Sequence, residues 1–226
     1  MDEKLYYIVS DLHLGNVYSH HHAFDNWLQN LPEKATLVLN GDVIDDPNLP
    51  LSNAHERILY KIVAESHQRR VIWVYGNHDA DFHMVDSGEI EFVSEWAIEK
   101  RLHIVHGNNL DDLMSRHGLF KWVFRRIHQL SVALGLRDMH VAEYAKKWGL
   151  LYHILNERVA RNAISEVERL GFEAITCGHT HAAMDIQRSG KRYINTGAWT
   201  EQPIHYVRVD TTSISLCVYR GDERSV

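Results

Sequence analysis

The chain has 226 residues, of which 45% are hydrophobic and 24% charged. This length and composition predict one globular domain spanning residues 1–226, and they exclude a disordered, collagen-like or repeat protein. The net charge of −6 provides no broad basic surface, so long nucleic acid is not expected as a partner.

The first half of the chain alternates strand patterns with helix patterns. Strands are predicted at Leu5–Val9, Thr36–Leu39 and Val71–Tyr75, and amphipathic helices at His22–Leu31 and Asn53–His67 separate them. This βαβαβ order predicts a parallel sheet whose functional loops lie at the carboxyl ends of the strands.

The pattern changes in the second half. Two short strands, Ile90–Ile98 and Leu102–Val105, are expected to form a hairpin or an edge pair around the turn Glu99-Lys100-Arg101. Residues from about 111 to 170 have helical spacing and predict a helical insert that Gly171 closes. An antiparallel meander is expected after it, with strands at Glu173–Cys177, Ala183–Gln187, Arg192–Asn195, Tyr206–Val209 and Ser213–Tyr219. Together these elements predict an α/β fold with two sheets packed face to face and helices outside.

The cysteines and the N-terminus bear on the compartment. Cys177 and Cys217 lie in apolar, strand-like segments and form no disulfide or metal framework. The acidic N-terminus runs directly into a short strand, with no pattern of a secretory signal or a spanning helix. We therefore expect a protein of a reducing compartment, cytoplasmic or peripheral to a membrane.

Five strand ends run into loops that carry metal-binding residue types. They are Asp11-Leu12-His13, Gly41-Asp42, Gly76-Asn77-His78-Asp79, His106-Gly107 and His179-Thr180-His181. So many coincidences in chain order indicate a single site. Its mixed oxygen and nitrogen donors suit Mn²⁺, Fe or Zn²⁺ better than Ca²⁺ or Mg²⁺.

The spacing of these residues predicts their chemistry. Asp11 and His13 are one residue apart, so in an extended segment both side chains would point the same way. The two carboxylate oxygens of Asp42 make it the natural bridge between two cations. Two metals roughly 3.5–4 Å apart can clamp a phosphate and lower the pKa of a bridging water. The motifs therefore predict a hydrolytic phosphoesterase.

Three residues of the third motif are candidates for the catalytic step. Asn77 supplies a neutral oxygen to a metal. His78 follows it and is expected to face the same pocket, where it would bind a phosphate oxygen or protonate the leaving group. Asp79 is expected to orient His78.

As a set, the five motifs resemble the signature of the calcineurin-like metallophosphoesterases. The resemblance implies a four-layer α/β/β/α sandwich and two divalent transition metals, with Mn²⁺ favoured over Fe and Zn²⁺. It implies one metal held by Asp11, His13, Asp42 and His181, and a second held by Asp42, Asn77, His106 and His179. One departure is Asn108, where many relatives carry Asp in a His-Gly-Asp motif, which puts the support of His106 in question.

Within that superfamily, the Asp-Leu-His-Leu opening and the helical insert are similar to the UDP-2,3-diacylglucosamine diphosphatases of lipid A biosynthesis. In those enzymes the insert forms a lid over acyl chains. The apolar and basic stretch from Arg116 to Arg137 fits such a lid, so Arg116, Arg125 and Arg126 are expected to contact a phosphorylated or nucleotide-linked lipid or sugar. His78 stands where those enzymes often have Arg, and the segment after His106 is shorter here.

Several alternatives stay open on the sequence. The insert is as well explained by a helical hairpin that covers the sheet or forms a dimer contact. The substrate is alternatively a soluble nucleotide or a phosphoprotein, and an alternative of another class is a metal-binding scaffold without activity. The run His20-His21-His22 is either a substrate contact or a helix start, and Trp199 either lines the pocket or packs in the core.

Overall fold

The computed structural model describes residues 4–112 and 149–221 of the chain. Most of the predicted insert, with Arg116, Arg125 and Arg126, lies outside the described residues. The lid and its substrate contacts therefore stay predictions.

The described chain contains eleven strands and three α-helices. In chain order the elements are β1 (Tyr6–Val9), α1 (His21–Gln29), β2 (Thr36–Asn40), α2 (Asn53–Ser66), β3 (Val71–Val74), β4 (Glu91–Val93), β5 (Trp96–Ile98), β6 (Leu102–Ile104), a 3₁₀ helix (Asn108–Leu110), α3 (Gly149–Leu170), β7 (Ala174–Cys177), β8 (Met184–Arg188), β9 (Lys191–Asn195), β10 (His205–Val209) and β11 (Ile214–Val218).

The first sheet has six strands in the order β11-β10-β1-β2-β3-β4. Strands β1 to β4 run parallel, with Tyr6 opposite Thr36 and Leu37 opposite Val71, while β10 and β11 add an antiparallel edge. The predicted parallel sheet is therefore confirmed. Because parallel strands end at one edge, the loops after β1, β2 and β3 meet there.

The second sheet has five strands in the order β5-β6-β7-β9-β8. Strands β5 and β6 form the predicted antiparallel hairpin, with Trp96 opposite Ile104. Strands β6, β7 and β9 run parallel, and β8 pairs antiparallel with β9 at the edge. The loop after β7 thus leaves the sheet at the same edge as the loop after β6.

Two expectations about strands are wrong. The run Ile90–Ile98 is not one strand, because it divides at Ser94 and Glu95 into β4 of the first sheet and β5 of the second. The last five strands are not a meander either. The chain passes from β7 to the edge strand β8 and returns through β9, which then lies parallel to β7, and β10 and β11 cross to the first sheet.

The buried side chains form three clusters, one between each pair of neighbouring layers, and these clusters confirm the α/β/β/α order. Residues Ile8, Val38, Ile72, Ile104 and Ile194 belong to the cluster between the two sheets. On the outer face of the first sheet, Val9, Leu39 and Trp73 pack with Phe24 of α1 and Ile62 of α2. On the outer face of the second sheet, Ile175 and Tyr193 pack with Val159, Ala163 and Val167 of α3.

The ends of two helices follow from their sequences. The Ser52 hydroxyl accepts a hydrogen bond from the His55 N–H at 3.3 Å and so caps the start of α2. Helix α3 ends at Leu170, and Gly171 closes it as predicted, because this residue has φ = 74° and its N–H donates to the Val167 carbonyl at 2.9 Å. Within residues 4–112 and 149–221, none of the helices is sufficiently long and apolar to cross a membrane.

Candidate metal centre

The first two motif loops are joined by backbone hydrogen bonds beyond the ends of their strands. The Asp11 N–H donates to the Gly41 carbonyl and the His13 N–H to the Asp42 carbonyl, each at 3.0 Å. These bonds continue the pairing of β1 with β2 into the loops. The side chains of Asp11, His13 and Asp42 are thereby held at one edge of the sheet, where they are at most 4% exposed.

Backbone strain is concentrated in the candidate ligands. Among the described residues other than glycine, seven have positive φ, and five of these are Asp11, His13, Asp42, His179 and His181. Such conformations cost free energy and are retained where the surrounding structure and a functional constraint hold them. The expectation that Asp11 and His13 extend from one strand is therefore wrong, because both residues are left-handed, at φ = 55° and 47°.

The first group of donors consists of Asp11, His13 and His181. Nε2 of His181 lies 3.2 Å from Oδ1 of Asp11 and 3.3 Å from Nε2 of His13. The Nδ1 of His13 faces the Asp45 carboxylate at 2.8 Å. An ionised carboxylate only accepts, so Nδ1 of His13 carries a proton and its Nε2 is directed to the other two donors.

The second group consists of Asp42 and His106 together with Asp11. Nε2 of His106 is buried and lies 3.1 Å from Oδ2 of Asp42. Among the described residues, this nitrogen has no partner with good hydrogen-bond geometry. Its Nδ1 donates to the Asn40 carbonyl at 2.9 Å. Because a carbonyl cannot donate, Nε2 is the nitrogen that remains for a cation or a second proton.

Asn77 and His179 complete the second group. Oδ1 of Asn77 lies 2.9 Å from Nδ1 of His179, and Oδ2 of Asp111 lies 3.2 Å from the opposite ring nitrogen, Nε2. The backbone N–H of His179 donates to the Asp11 carboxylate, at 3.1 Å to Oδ2. The predicted ligands from all five motifs thus converge at one edge of the two sheets.

The carboxylates at this edge attract positive charge. Burial alone would raise the pKa of Asp11, but hydrogen bonds from His13 and His181 hold that pKa well below its usual value. Burial likewise opposes the charged form of His106, yet the negative charge of Asp42 raises its pKa to about 9. The pKa of His13 rises to about 10, because bonds to the Asp11 and Asp45 carboxylates outweigh its burial. In the absence of metal, protons supply the charge that these carboxylates attract.

The donor set fits divalent cations. Ligand atoms bound at about 2.0–2.2 Å to one cation lie roughly 3 Å from each other. The separations of 3.2 Å between His181 and Asp11, 3.1 Å between His106 and Asp42, and 2.9 Å between Asn77 and His179 are of this size. Each pair joins lone pairs that would repel in the absence of a cation or proton between them. The residues present therefore suit two transition metals in neighbouring positions.

Two glycines are required by close packing: Gly76 of the third motif and Gly178, which directly precedes the last motif. A Cβ at Gly76 would collide with the Asp42 carboxylate, and a Cβ at Gly178 would collide with the Asp11 carboxylate and with Ser10. Neither glycine has positive φ, so the constraint is the space beside a candidate ligand. This explains why glycine directly precedes the ligand in two of the motifs.

His78 lies at the rim of an open cavity beside the donors. Its ring is 4.9 Å from the His13 ring, edge on, and its Nδ1 donates to the Asp45 carbonyl at 2.7 Å. The cavity has a volume of about 690 Å³ and is lined by Asp45, Asp46, Pro47, Asn48, Asn77, His78, Asp81, Phe82 and His83. His78 therefore lies where a substrate at the donors would pass.

Asp79 has a different role from the one expected. Its Oδ1 accepts from the Gly76 N–H at 2.7 Å, and its Oδ2 accepts from the Val43 N–H at 2.9 Å and from Nε1 of Trp73 at 3.0 Å. Burial raises the pKa of this carboxyl. Both oxygens are used to join the Asn77 loop to the Asp42 loop, so Asp79 does not orient His78.

Two carboxylates of the site were not indicated by the motifs. Asp45 contacts His13, and Asp111 contacts His179. Their sequence signal is weak: each follows a motif ligand at short distance, three residues after Asp42 and five after His106. Asn108, the departure noted above, is half-buried, and among the described residues its side chain bonds only to Asn109, at 3.4 Å.

The structure shows where the histidine run His20-His21-His22 and Trp199 lie. Helix α1 begins at His21, and His21 contacts the buried His55, which in turn accepts from the Gly15 N–H at 2.8 Å. The histidine run is thus a helix start outside the cavity lining. Trp199 is 1% exposed and packs on Phe24, so it belongs to the core.

No curated protein matches the chain. Among solved structures it is similar to Vps29 from Cryptosporidium parvum (14% identity, TM-score 0.48, 96% of each chain covered). It is also similar to the phosphoesterase YfcE from E. coli (15% identity, TM-score 0.45, 95% of this chain and 99% of that one). A third similar structure is a predicted phosphoesterase from Streptococcus pneumoniae (15% identity, TM-score 0.41, 98% of this chain and 93% of that one).

The family model described as calcineurin-like phosphoesterase matches residues 5–183. The matched range contains all five motif loops and most of both sheets. The chain therefore belongs to the calcineurin-like phosphoesterase family.

Proposed function

We propose that the chain is a hydrolase that cleaves a phosphoanhydride or phosphodiester with two divalent metals, Mn²⁺ being the first candidate. The observation that supports this most is the buried approach of Nε2 of His106 to Oδ2 of Asp42 at 3.1 Å, where either a proton or a cation must lie between the two atoms. One cation would lie among Asp11, His13, Asp42 and His181, and the other among Asp42, Asn77, His106 and His179.

When bound, two such cations supply Lewis acidity at the phosphate oxygens and an activated water for in-line attack. The residues of the chain prepare the site for them. The Asn40 carbonyl fixes Nδ1 of His106, and the Asp45 carboxylate fixes Nδ1 of His13, so in both rings Nε2 is directed inward. Orientation of ligands by such outer partners is a common way to raise metal affinity.

His78 is proposed to act on the substrate. Its Nδ1–H is held by the Asp45 carbonyl, which leaves Nε2 as the nitrogen that meets a ligand in the cavity. Only the imidazolium can donate from Nε2 while it retains the bond to Asp45. In that form His78 binds a phosphate oxygen or protonates the leaving oxygen, as a general acid.

The substrate proposed first is a nucleotide-linked lipid or sugar of the UDP-2,3-diacylglucosamine type. It is supported by the Asp11-Leu12-His13-Leu14 opening and by the basic, apolar composition of residues 116–137. The described cavity favours a second candidate. The described residues that line it include three carboxylates and no Lys or Arg, which disfavours highly anionic groups on this side of the site. A soluble diester or monoester with an uncharged leaving group fits this lining better.

Substitution of Asp42, the shared ligand, or of His106, a ligand of the second cation, tests the reaction. We expect Asp42→Ala and His106→Ala each to abolish Mn²⁺-dependent hydrolysis of bis-p-nitrophenyl phosphate without unfolding the protein. The exposed residues His67 and Asp185 provide the matched controls, His67→Ala and Asp185→Ala, which should retain activity. Unchanged turnover in either ligand variant would contradict the proposal. A wild-type protein that binds no transition metal and stays inactive with Mn²⁺ would favour the scaffold alternative.

A substrate screen then separates the candidates. With Mn²⁺ present, hydrolysis would be compared for UDP-2,3-diacylglucosamine, soluble nucleotide diphosphates, cyclic dinucleotides, a phosphopeptide and simple monoesters. Selective cleavage of the lipid supports the first candidate. Turnover of soluble esters with an inert lipid supports the second.

A further inference from the structure

Asp111 lies at a junction between the proposed metal centre and the described part of the helical insert. It directly follows the 3₁₀ helix and is 5% exposed. Its Oδ2 is 3.2 Å from Nε2 of His179, whereas Nδ1 of the same ring is 2.9 Å from Oδ1 of Asn77. The imidazole therefore lies between the Asp111 carboxylate and the Asn77 oxygen, which is the other donor that the second cation would use.

The two ring contacts of His179 are linked through the position of one proton. A carboxylate can only accept, so a neutral His179 that bonds to Asp111 carries its proton on Nε2. Nδ1 is then unprotonated and faces the Asn77 oxygen, and these two lone pairs are compatible when a cation lies between them. With the opposite tautomer, Nδ1–H would donate to Asn77 and the pair would be closed to a metal.

The backbone around Asp111 is fixed by α3. Arg158 forms two hydrogen bonds to the Asp112 carboxylate, at 2.7 and 2.6 Å. Asn162 donates to the Leu110 carbonyl at 2.8 Å. Leu110 and Asp112, on either side of Asp111, are therefore bound to residues on two successive turns of α3.

Helix α3 also contacts the loop that carries His179. The Tyr152 hydroxyl donates to the Thr180 carbonyl at 3.0 Å, between the two histidines of the last motif. The same helix packs through Val159 and Ala163 on the second sheet. One rigid element thus sets the distance between Asp111 and His179.

We propose that Asp111 is a positioning residue for the second metal: its carboxylate holds His179 with the proton on Nε2 and Nδ1 beside the Asn77 oxygen. The proposal rests on the dinuclear function proposed above. It also gives α3, the described helix of the insert, a structural role at the metal centre, because α3 holds the segment that contains Asp111. The loop after His106 lacks a carboxylate at Asn108, and it provides this one three residues later.

Metal titration of the full chain tests the proposal without reference to activity. After removal of metal with a chelator, Mn²⁺ binding would be followed by calorimetry and by the electron paramagnetic resonance of free Mn²⁺. We expect two ions per wild-type chain. In Asp111→Asn the weaker-bound or second ion should lose about 10–100-fold in affinity while the other is unchanged, the usual size of such an effect. The matched control Asp185→Asn, a surface carboxylate paired with Arg192, should bind both ions normally.

A double-variant cycle distinguishes positioning from a general structural role. In a His179→Ala background, Asp111→Asn should cause no further loss of Mn²⁺ affinity, because the ring through which Asp111 acts is absent. If Asp111→Asn does not fold, Asp111→Glu replaces it in the same cycle, with a smaller loss expected. Unchanged binding of both ions by the Asp111 variant, or an equal further loss in the His179→Ala background, would overturn the proposal. Binding of fewer than two ions by the wild type would instead count against the dinuclear function itself.

Discussion

Nε2 of His106 lies 3.1 Å from Oδ2 of Asp42, and both side chains are at most 3% exposed. The Asn40 carbonyl already occupies the other ring nitrogen of His106. This relationship makes the buried pair a site for either a proton or a cation, with the two in competition. The competition links the stability of the protein to both pH and metal.

We predict that the metal-free protein becomes less stable as pH rises from about 6.5 to about 10. The folded-state pKa values of His13 and His106 are raised from 6.5 to about 10 and about 9. A group whose pKa is raised by folding contributes its full stabilisation when the pH is below its pKa in the unfolded state. This stabilisation is lost as the pH rises through its pKa in the folded state. Thermal melts of chelator-treated protein at pH 6.5, 8 and 9.5 should show a fall of at least about 2–4 °C, which corresponds to about 1 kcal/mol for this size.

Added Mn²⁺ should reverse the trend. Metals bind deprotonated imidazoles, so the stabilisation by a fixed Mn²⁺ concentration should grow over the same pH range. In His106→Asn both the loss on raising pH and the gain from Mn²⁺ should be smaller. A melting temperature of the metal-free protein that is flat or rises across this range would contradict the prediction.

A second prediction concerns His78 and the leaving group. If His78 protonates the leaving oxygen, His78→Gln should reduce kcat for an alkyl phosphoester about 10²–10⁴-fold, the usual contribution of a general acid. For a p-nitrophenyl ester, whose leaving group needs no proton, the reduction should be much smaller. The rates of both substrates would be measured with saturating Mn²⁺.

The matched control for His78 is His83→Gln, which changes an exposed histidine of the same cavity. It should affect the two substrates equally. Equal losses for both leaving groups in His78→Gln would mean that His78 binds a phosphate oxygen and does not act as the acid.

A third prediction distinguishes a structural role of Asp79, which joins two loops, from a catalytic role. Asp79→Ala leaves three buried donors unsatisfied, on Gly76, Val43 and Trp73, and each such donor costs about 1–3 kcal/mol. We expect a melting temperature lower by at least about 6 °C, together with weaker Mn²⁺ binding, because the Asn77 and Asp42 loops lose the side chain that joins them. In a Trp73→Phe background the cost should be smaller, since one donor is already absent. Loss of activity with an unchanged melting temperature would return Asp79 to the catalytic residues.

The motif residues could be predicted from sequence because parallel strands place their loops at a shared edge. Asp11, Asp42 and Asn77 follow three parallel strands, and His106 and His179 follow two others. Their convergence needs only strand order and direction. The left-handed backbone of Asp11 and His13 does not follow from spacing, since it depends on the bonds from these loops to Gly41 and Asp42.

The partners of the ligands could not be predicted in the same way. Asp45 and Asp111 are ordinary acidic residues in polar segments, and their contacts with His13 and His179 depend on loop conformation. The mixed pairing of the last five strands was also hidden. Each of these segments has a composition typical of a strand. Which strand it pairs with, and in which sheet, depends on contacts distant in sequence, such as Val207 opposite Ile8.

The last prediction concerns Gly178, which directly precedes His179. Gly178→Ala would push a methyl group into the Asp11 carboxylate and Ser10, both fully buried, so the Asp11 side chain must move. Overpacking of this kind costs about 1–3 kcal/mol. We expect a lower melting temperature and loss of Mn²⁺ from the group formed by Asp11, His13 and His181.

Gly190→Ala is the matched control for Gly178→Ala. Gly190 has φ = 73° and open space where its Cβ would lie, so the substitution adds backbone strain without touching the metal centre. Its cost of about 1 kcal/mol should lower the melting temperature while Mn²⁺ binding is retained. The two variants thus differ in metal affinity more than in stability. Normal Mn²⁺ affinity in Gly178→Ala would contradict the assignment of Asp11 as a ligand.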